Sequence, residues 1–344
     1  MTEYPLISII VPCRNEDKFI ERTINSLLNT NYPLDKIEVL AVDGMSDDGT
    51  KDILDRLSGE IKQLRVYENK NKIAPCAFNI GLKNMKGDYF VIVGGHSEIP
   101  NDFLNKSLQC LMSKKDAWVA GGSIETVSDT FTGKAIAAAM QSPIGVGNSM
   151  FRLGNHEGYV DTLTFGLHHK WVIDKIGCFD EELVRNQDDE FNARLINAGG
   201  KIWMSKDVTS RYYSRGSLGK LWKQYFQYGF WRIRTIQKLK KPATIRQVVP
   251  LLFVLSLLVL TALSFFVDIF RYFLAAEIVL YFIGITLGSI NVGKKTGWKY
   301  ALVSPLIFTI LHFGYGIGSL WGFVHFVLLK GCLIPKPDEH SLSR

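Results

Sequence analysis

Apolar residues follow two different rules along this chain, and the change comes near residue 248. Before it, short apolar runs alternate with segments of helical spacing. Residues 6–11 (LISIIV) are a continuous run closed by Pro12, the pattern of a strand buried on both faces. In residues 16–28, Phe19, Ile20, Ile24, Leu27 and Leu28 recur at helical spacing. The next run, 37–42, ends at Asp43, and 48–57 reads as a helix with Ser46, Asp47 or Asp48 as its cap. Residues 64–67 form a short strand, 74–85 a helix, and 89–93 (YFVIV) another buried strand. Such alternation predicts an α/β class, with right-handed βαβ units on a mostly parallel, Rossmann-like central sheet. Ligands of these sheets bind at the carboxyl ends of the strands, so the polar residues just after each strand are the ones that matter.

After residue 248 the period disappears. Residues 248–267 carry no charge, 272–290 carry only Glu277, and 301–329 carry no Lys, Arg, Asp or Glu. A membrane helix needs about 20 apolar residues, so three C-terminal spans are predicted, at 248–267, 272–290 and 301–329. The last would be about 43 Å long as one helix, more than a bilayer core requires. Pro305 and Gly314, Gly316, Gly318 and Gly322 allow a tilted, broken or re-entrant path. Glu277 is costly in lipid and should face protein or snorkel. The 344 residues thus divide into a globular domain at 1–231, a basic segment at 232–247, a membrane domain at 248–329 and a polar tail at 330–344.

Charge adds orientation. The formal net charge is +7, and Arg232, Arg234, Lys238, Lys240, Lys241 and Arg246 stand together before the first apolar run without an acid among them. That placement favours anionic membrane lipid on the cytoplasmic side over nucleic acid. Lys294, Lys295 and Lys299 predict a second cytoplasmic loop at 291–300, while the balanced 268–271 loop faces outward. The first residues do not resemble a signal peptide. Five cysteines, Cys13, Cys76, Cys110, Cys178 and Cys332, lack C-x-x-C spacing, which suits reduced thiols rather than disulfides or a zinc site.

Four segments in order, IIVPCRNE (9–16), VLAVDGMSDDGT (39–50), NIGLKNMKGDYFVIV (79–93) and NQDDEFNARLINAGG (186–200), resemble the family 2 glycosyltransferases of GT-A fold. Within that family, GGHSEIP (94–100), SPIGVGNSMFR (142–152) and SRGSLGKLWKQYFQYG (214–229) are similar to the succinoglycan-type exopolysaccharide enzymes, which also carry C-terminal membrane helices. The resemblance implies an inverting transfer of a sugar from a nucleotide-diphosphate donor, a UDP-sugar being favoured. It assigns the nucleotide to Pro12, Arg14, Asn15, Glu16, Asp43, Gly94 and Gly95. Asp43 would accept from the base N–H; a turn acid before Gly44 is the alternative. Backbone N–H groups at Asn15 and Glu16, opening the first helix, suit phosphates; their own capping role is the alternative.

Gly94–Gly95–His96 departs from the family, where an Asp-x-Asp motif holds a divalent cation. Three explanations stay open. His96, with Glu98, could ligate Mn²⁺ or Mg²⁺; Arg14 or Lys72 could replace part of the cation's charge; or the site could be inactive. By resemblance Asp188 is the general base that takes the acceptor hydroxyl's proton, with Gln187 where relatives carry Glu. Acids at a helix start also simply complement its dipole, and Arg194 can pair with Glu190. His168, Gln187, Arg194, Gln224 and Tyr228 are the acceptor-side candidates; 224–228 (QYFQY) stands where relatives carry Q-x-x-R-W, in a stretch whose Trp222, Phe226 and Lys223 also suit a membrane-surface helix. The expected protein is an inner-membrane, multi-pass glycosyltransferase with its catalytic domain cytoplasmic. Its expected acceptor is a glycan on a polyprenyl diphosphate. Polyprenyl phosphate itself, or a non-catalytic nucleotide- or glycan-binding scaffold, is the alternative.

Overall fold

The computed structural model describes residues 4–214 and 216–329. The tail expected at 330–344, with Cys332, lies outside them. Nine strands make one sheet: β1 (Ile7–Cys13), β2 (Ile37–Asp43), β3 (Leu64–Glu68), β4 (Tyr89–Ile92), β5 (Ser97–Glu98), β6 (Ala117–Val127), β7 (Gly158–Val160), β8 (Leu167–His169) and β9 (Lys201–Tyr213). Their order is β3-β2-β1-β4-β8-β6-β9-β5, with β7 on β9. The β3-β2-β1-β4 half is parallel, in register Ile7 to Ile37 and Ile7 to Tyr89. Helices Ile20–Leu28, Thr50–Glu60 and Ala74–Asn84 make its crossovers. All seven residues of β2 are buried, which explains the unbroken apolar runs, because helices cover both faces.

The other half corrects the expectation of a mostly parallel sheet. β8 runs antiparallel to both β4 and β6, β5 and β7 run antiparallel to β9, and only β6–β9 is parallel. Strand β6 is buried at most positions although its sequence is not continuously apolar. A Cβ on Gly122 would collide with the Val208 carbonyl, so the chains approach there as only glycine permits. The register of β6 on β9 shifts between Gly121 and Ser123, curling the sheet as bulges do.

Helix Leu218–Leu239 leaves this domain and packs along Ser304–Phe323. Between them in sequence run Val249–Ser264 and Ile269–Thr296. Among the described residues, two helices are long and apolar enough to cross a membrane, Ile269–Thr296 and Ser304–Leu328, rather than three. The first apolar run fails because Ile245–Gln247 is 3₁₀ and the helix, with Pro250 in its first turn, ends at Ser264. Its 16 residues rise only about 24 Å, short of a ~30 Å core. The 291–300 loop is also absent: helix continues to Thr296, with Lys294 and Lys295 in its last turn, where cations suit the dipole.

Nor do the glycines near the end break the chain. Helix Ser304–Phe323 is continuous into the π-helical segment Val324–Leu328. A Cβ on Gly318 would collide with the Phe226 carbonyl, one on Gly322 with that of Phe230, and one on Gly229 with that of Tyr315. The small residues let two backbones touch, as in membrane helix pairs. Glu277 accepts from Ser256 Oγ at 2.5 Å, tying Ile269–Thr296 to Val249–Ser264.

Candidate active site

Of two cavities, the smaller opens on the face where β1, β2 and β4 end. About 220 Å³ in volume, it is lined by Pro12, Arg14, Asn15 and Glu16 after β1, by Lys72, and by Gly94, Gly95 and His96 after β4. Its walls are held by side-chain bonds rather than by a helix end. The first helix starts at Ile20, not near Asn15, because the backbone N–H groups of Asn15, Glu16 and Asp17 donate to Ser46 Oγ (2.9 Å), Thr50 Oγ1 (2.7 Å) and Asp48 Oδ2 (3.2 Å). The expected helix-terminal phosphate cradle at these N–H groups is therefore absent. Asn15 (φ 57°) and Lys72 (φ 62°) sit in the left-handed region, a conformation that asparagine tolerates and lysine rarely adopts. Asn69 sets the second turn, donating from Nδ2 to Ile73 O (2.8 Å) and accepting from Asn71 N (3.1 Å).

His96 lies beside Glu16, its Nδ1 3.0 Å from Oε1. Gly95 makes this possible, since a Cβ there would stand 2.9 Å from Cys13 Cβ and 3.2 Å from Glu16 Cγ. A carboxylate at Nδ1 fixes the orientation of the ring. Glu98, expected as the second ligand, pairs with Arg22 and lines neither cavity; β5 turns its side chain away. Asp43, 1 % exposed, also lines neither cavity: Ser46 Oγ and N donate to its two oxygens at 2.5 and 3.1 Å, the turn role weighed against base binding.

The larger cavity, about 590 Å³, lies between the sheet domain and the apolar helices. Its lining includes the charged Asp188, Asp189, Arg152, Arg232 and Arg246 and the apolar Leu280, Ile285 and Leu311. Helix Gln187–Asn197 begins there, preceded by Asn186 at φ 62°. The three acids at its start have three different fates. Glu190 is buried against Arg194 (2.6 Å), which also donates to the carbonyls of Ile176 and Cys178. Asp189 meets Arg232, whose other donors reach Asn186 Oδ1 (3.0 Å) and the Tyr315 hydroxyl (2.9 Å). Asp188 forms no ion pair among the described residues and faces the cavity. Loss of surrounding water and then the charge of Asp189 push its carboxyl up to about 6. Dehydration would raise Asp189 too, but Arg232's charge and hydrogen bond hold it below the usual carboxylate range.

Tyr228 lines both cavities, which are therefore neighbours. Gln224 reaches the smaller one, donating to the Tyr228 hydroxyl at 2.8 Å. The remaining acceptor-side candidates lie elsewhere. His168 is core: its ring stacks on Phe90 at 4.7 Å, its Nδ1 is 2.7 Å from Gly166 O, and burial depresses it to about 4. Arg194 is engaged as above, and Gln187 lines neither cavity.

The basic segment is likewise corrected. Arg232 is 5 % exposed, Arg234 meets Glu182, Lys238 meets Asp180 and Glu182, and Arg246 meets Asp161. Acids far away in sequence neutralise most of a cluster that looked free for lipid. Sequence reasoning missed Arg185, Arg152, Arg246, Tyr315 and Arg232 as cavity residues. Gln224, Tyr228 and Arg232 recur at i, i+4 and i+8, one helix face, and that spacing was the available signal.

Residues 8–172 match the glycosyl transferase family 2 model. A dolichyl N-acetyl-alpha-D-glucosaminyl phosphate 3-beta-D-2,3-diacetamido-2,3-dideoxy-beta-D-glucuronosyltransferase of Methanococcus voltae is 31% identical over 230 residues, 65% of this chain and 71% of that protein. The succinoglycan biosynthesis protein ExoA of Rhizobium meliloti (strain 1021) is 31% identical over 246 residues, 71% and 74%. Among solved structures, the mannosyltransferase PcManGT from Pyrobaculum calidifontis, in complex with GDP-Man and Mn²⁺, aligns with TM-score 0.59 at 17% identity, over 93% of this chain and 88% of that one. S. aureus TarS 1-349 in complex with UDP aligns with TM-score 0.50 at 16% identity, over 92% and 90%. These structures share the GT-A-like fold. The chain belongs to glycosyl transferase family 2.

Proposed function

We propose that this nucleotide-sugar glycosyltransferase works at a membrane, moving one sugar with inversion onto a lipid-linked glycan, with Asp188 as general base. The observation that carries the reading is Asp188 itself: an acid that forms no ion pair among the described residues, raised to about 6, on a cavity that shares Tyr228 with the donor-side cavity. A base with that value is ionised at neutral pH and close to its optimum. The acceptor hydroxyl gives its proton to the Asp188 carboxylate as its oxygen attacks the anomeric carbon. The bond to the diphosphate breaks on the opposite face, and its electron pair stays on the leaving phosphate. Arg14, Lys72 and Arg185 line the smaller cavity and stabilise that charge.

His96 and Glu16 fit a divalent cation. Among the described residues no cluster of three or more ligating side chains exists, but Mg²⁺ commonly takes one or two protein ligands with phosphate and water completing its shell. Bound there, the ion would offset charge growing on the diphosphate. The Mn²⁺ of PcManGT supports this assignment, and UDP in TarS supports a UDP-sugar. A lipid-linked acceptor is supported by the name of the Methanococcus relative and by the apolar residues lining the larger cavity.

The test is transfer by the detergent-purified full chain, screened over UDP-, GDP- and dTDP-sugars with prenyl-linked glycan acceptors, with and without Mn²⁺ or Mg²⁺. The expected product has the anomeric configuration opposite to the donor's by NMR, and Asp188→Asn loses turnover while still binding nucleotide. Retention of configuration, or full activity in Asp188→Asn, would overturn the assignment.

A further inference from the structure

The larger cavity contains more cation than its acids use. Arg246 is matched by Asp161 at 2.6 Å, and Arg232 by Asp189. Arg152 has no acid partner among the described residues, only the ring of Phe151 at 5.2 Å from its guanidinium carbon, and its buried Nη1 donates to nothing. Arg232 repeats the feature. It is 5 % exposed, with Nε and Nη2 donating to Tyr315, Asn186 and Asp189, yet its Nη1 is also buried without a partner. Buried guanidinium donors left unsatisfied are costly. Two such arginines lining one cavity call for an acceptor that brings negative charge. Asp188 does not fill that role, since it pairs with neither arginine.

We infer that Arg152 and the Nη1 edge of Arg232 form an anion subsite for a phosphate on the acceptor's lipid carrier, separate from the site that holds the donor diphosphate. This rests on reading the larger cavity as the acceptor site. The donor side has its own cations, Arg14, Lys72 and Arg185, in the other cavity. The same cavity is also lined by Leu280 and Ile285 of one apolar helix and Leu311 of another. A ligand that suits both kinds of lining carries phosphate at one end and hydrocarbon at the other. A planar guanidinium matches phosphate oxygens in bidentate fashion, which lysine does not. Arg152 is thus a specificity residue that separates phosphorylated carriers from free alcohols, and Arg232 both positions Asp189 and contributes a donor.

The test uses the full chain in phosphatidylcholine nanodiscs with UDP present at saturation, so that the donor cavity is filled. Farnesyl diphosphate, farnesol and inorganic pyrophosphate are titrated against wild type, Arg152→Gln and Arg152→Lys. UDP affinity, measured separately, reports that each variant is folded. Farnesyl diphosphate is expected to bind more tightly than farnesol or pyrophosphate. Arg152→Gln should weaken it about tenfold or more, Arg152→Lys should weaken it less, and farnesol should be unaffected. Equal affinities for farnesol and farnesyl diphosphate, or an unchanged Arg152→Gln, would overturn the subsite. Loss of diphosphate binding when phosphatidylglycerol is added would show that bilayer headgroups occupy it, overturning the carrier assignment. Asp188→Asn separates the two readings. If it still turns over, the general-base assignment falls while binding stands; if it is dead but Arg152→Gln binds normally, the subsite alone falls.

Discussion

The two cavities are made in opposite ways. The smaller is assembled largely from short contiguous stretches, 12–16, 69–78 and 94–96, each following a strand of the parallel half-sheet. The larger takes residues from 143–152, 162–164, 186–189, 225–250, 280–285 and 311–315 and exists only where two layers meet. The first is rigid because its turns are bonded locally, Asn15 to Ser46 and Asp47, Asn69 to Asn71 and Ile73. The second depends on one buried arginine that joins three elements at once. On the proposed reading, donor handling is built into the α/β unit, whereas acceptor handling depends on how the apolar helices dock.

The largest expected effect tests the chemistry of the second cavity. Asp188→Asn should lower kcat by about 10²–10⁴-fold with UDP affinity unchanged, since Asp188 lines only the larger cavity. In wild type, kcat/KM should fall as pH drops through about 6, because the raised carboxyl then takes up the proton and ceases to be a base. A flat acid limb would refute that role.

The dependence on one arginine is tested by Arg232→Met. It strands Asp189 without its partner, a loss expected to cost about 3 kcal/mol, read as a lower Tm in detergent. Removing that positive charge should also move the acid limb of kcat/KM to higher pH, since Arg232 helps lower Asp188. An unchanged Tm and pH profile would mean that docking does not run through this residue.

Helix docking itself is tested by Gly318→Val, which drives a side chain into the Phe226 carbonyl. About 1–3 kcal/mol of destabilisation is expected, with acceptor KM rising more than donor KM. Equal increases would show that the cavities are not independent.

The smallest effect discriminates the metal ligands. Glu98→Gln breaks only a partly exposed pair with Arg22, worth less than about 1 kcal/mol, and should leave the metal response unchanged. His96→Ala should raise the Mn²⁺ concentration needed for half-maximal activity. The reverse ranking would restore Glu98 as the ligand.

Much of the smaller cavity was legible because its residues follow strands that the apolar runs already marked: a βαβ reading points to Asn15, Glu16 and 94–96, and the resemblance adds Arg14. Glu98 and Asp43 fall outside its lining for a reason equally local. A residue's distance from a strand end does not say which way a two-residue strand or a Ser46-bonded turn points its carboxylate. His168 looked polar and available, but antiparallel pairing of β8 with β4 turns it onto Phe90, and no short pattern announces that pairing.

The sequence by itself determined the alternation that folds into a parallel half-sheet, the position of Asp188 at the start of a helix, and the abrupt change to apolar segments. Those are properties of period and composition, which act over one or two turns of chain. Only the tertiary structure decided that Arg232 is a buried strut rather than a lipid-facing cation, and that the late glycines are contact points rather than breaks. It also reduced three apolar runs to two long helices. Each of these depends on which distant surface a residue meets, and a charge or a missing side chain has no fixed meaning until its neighbour is in place.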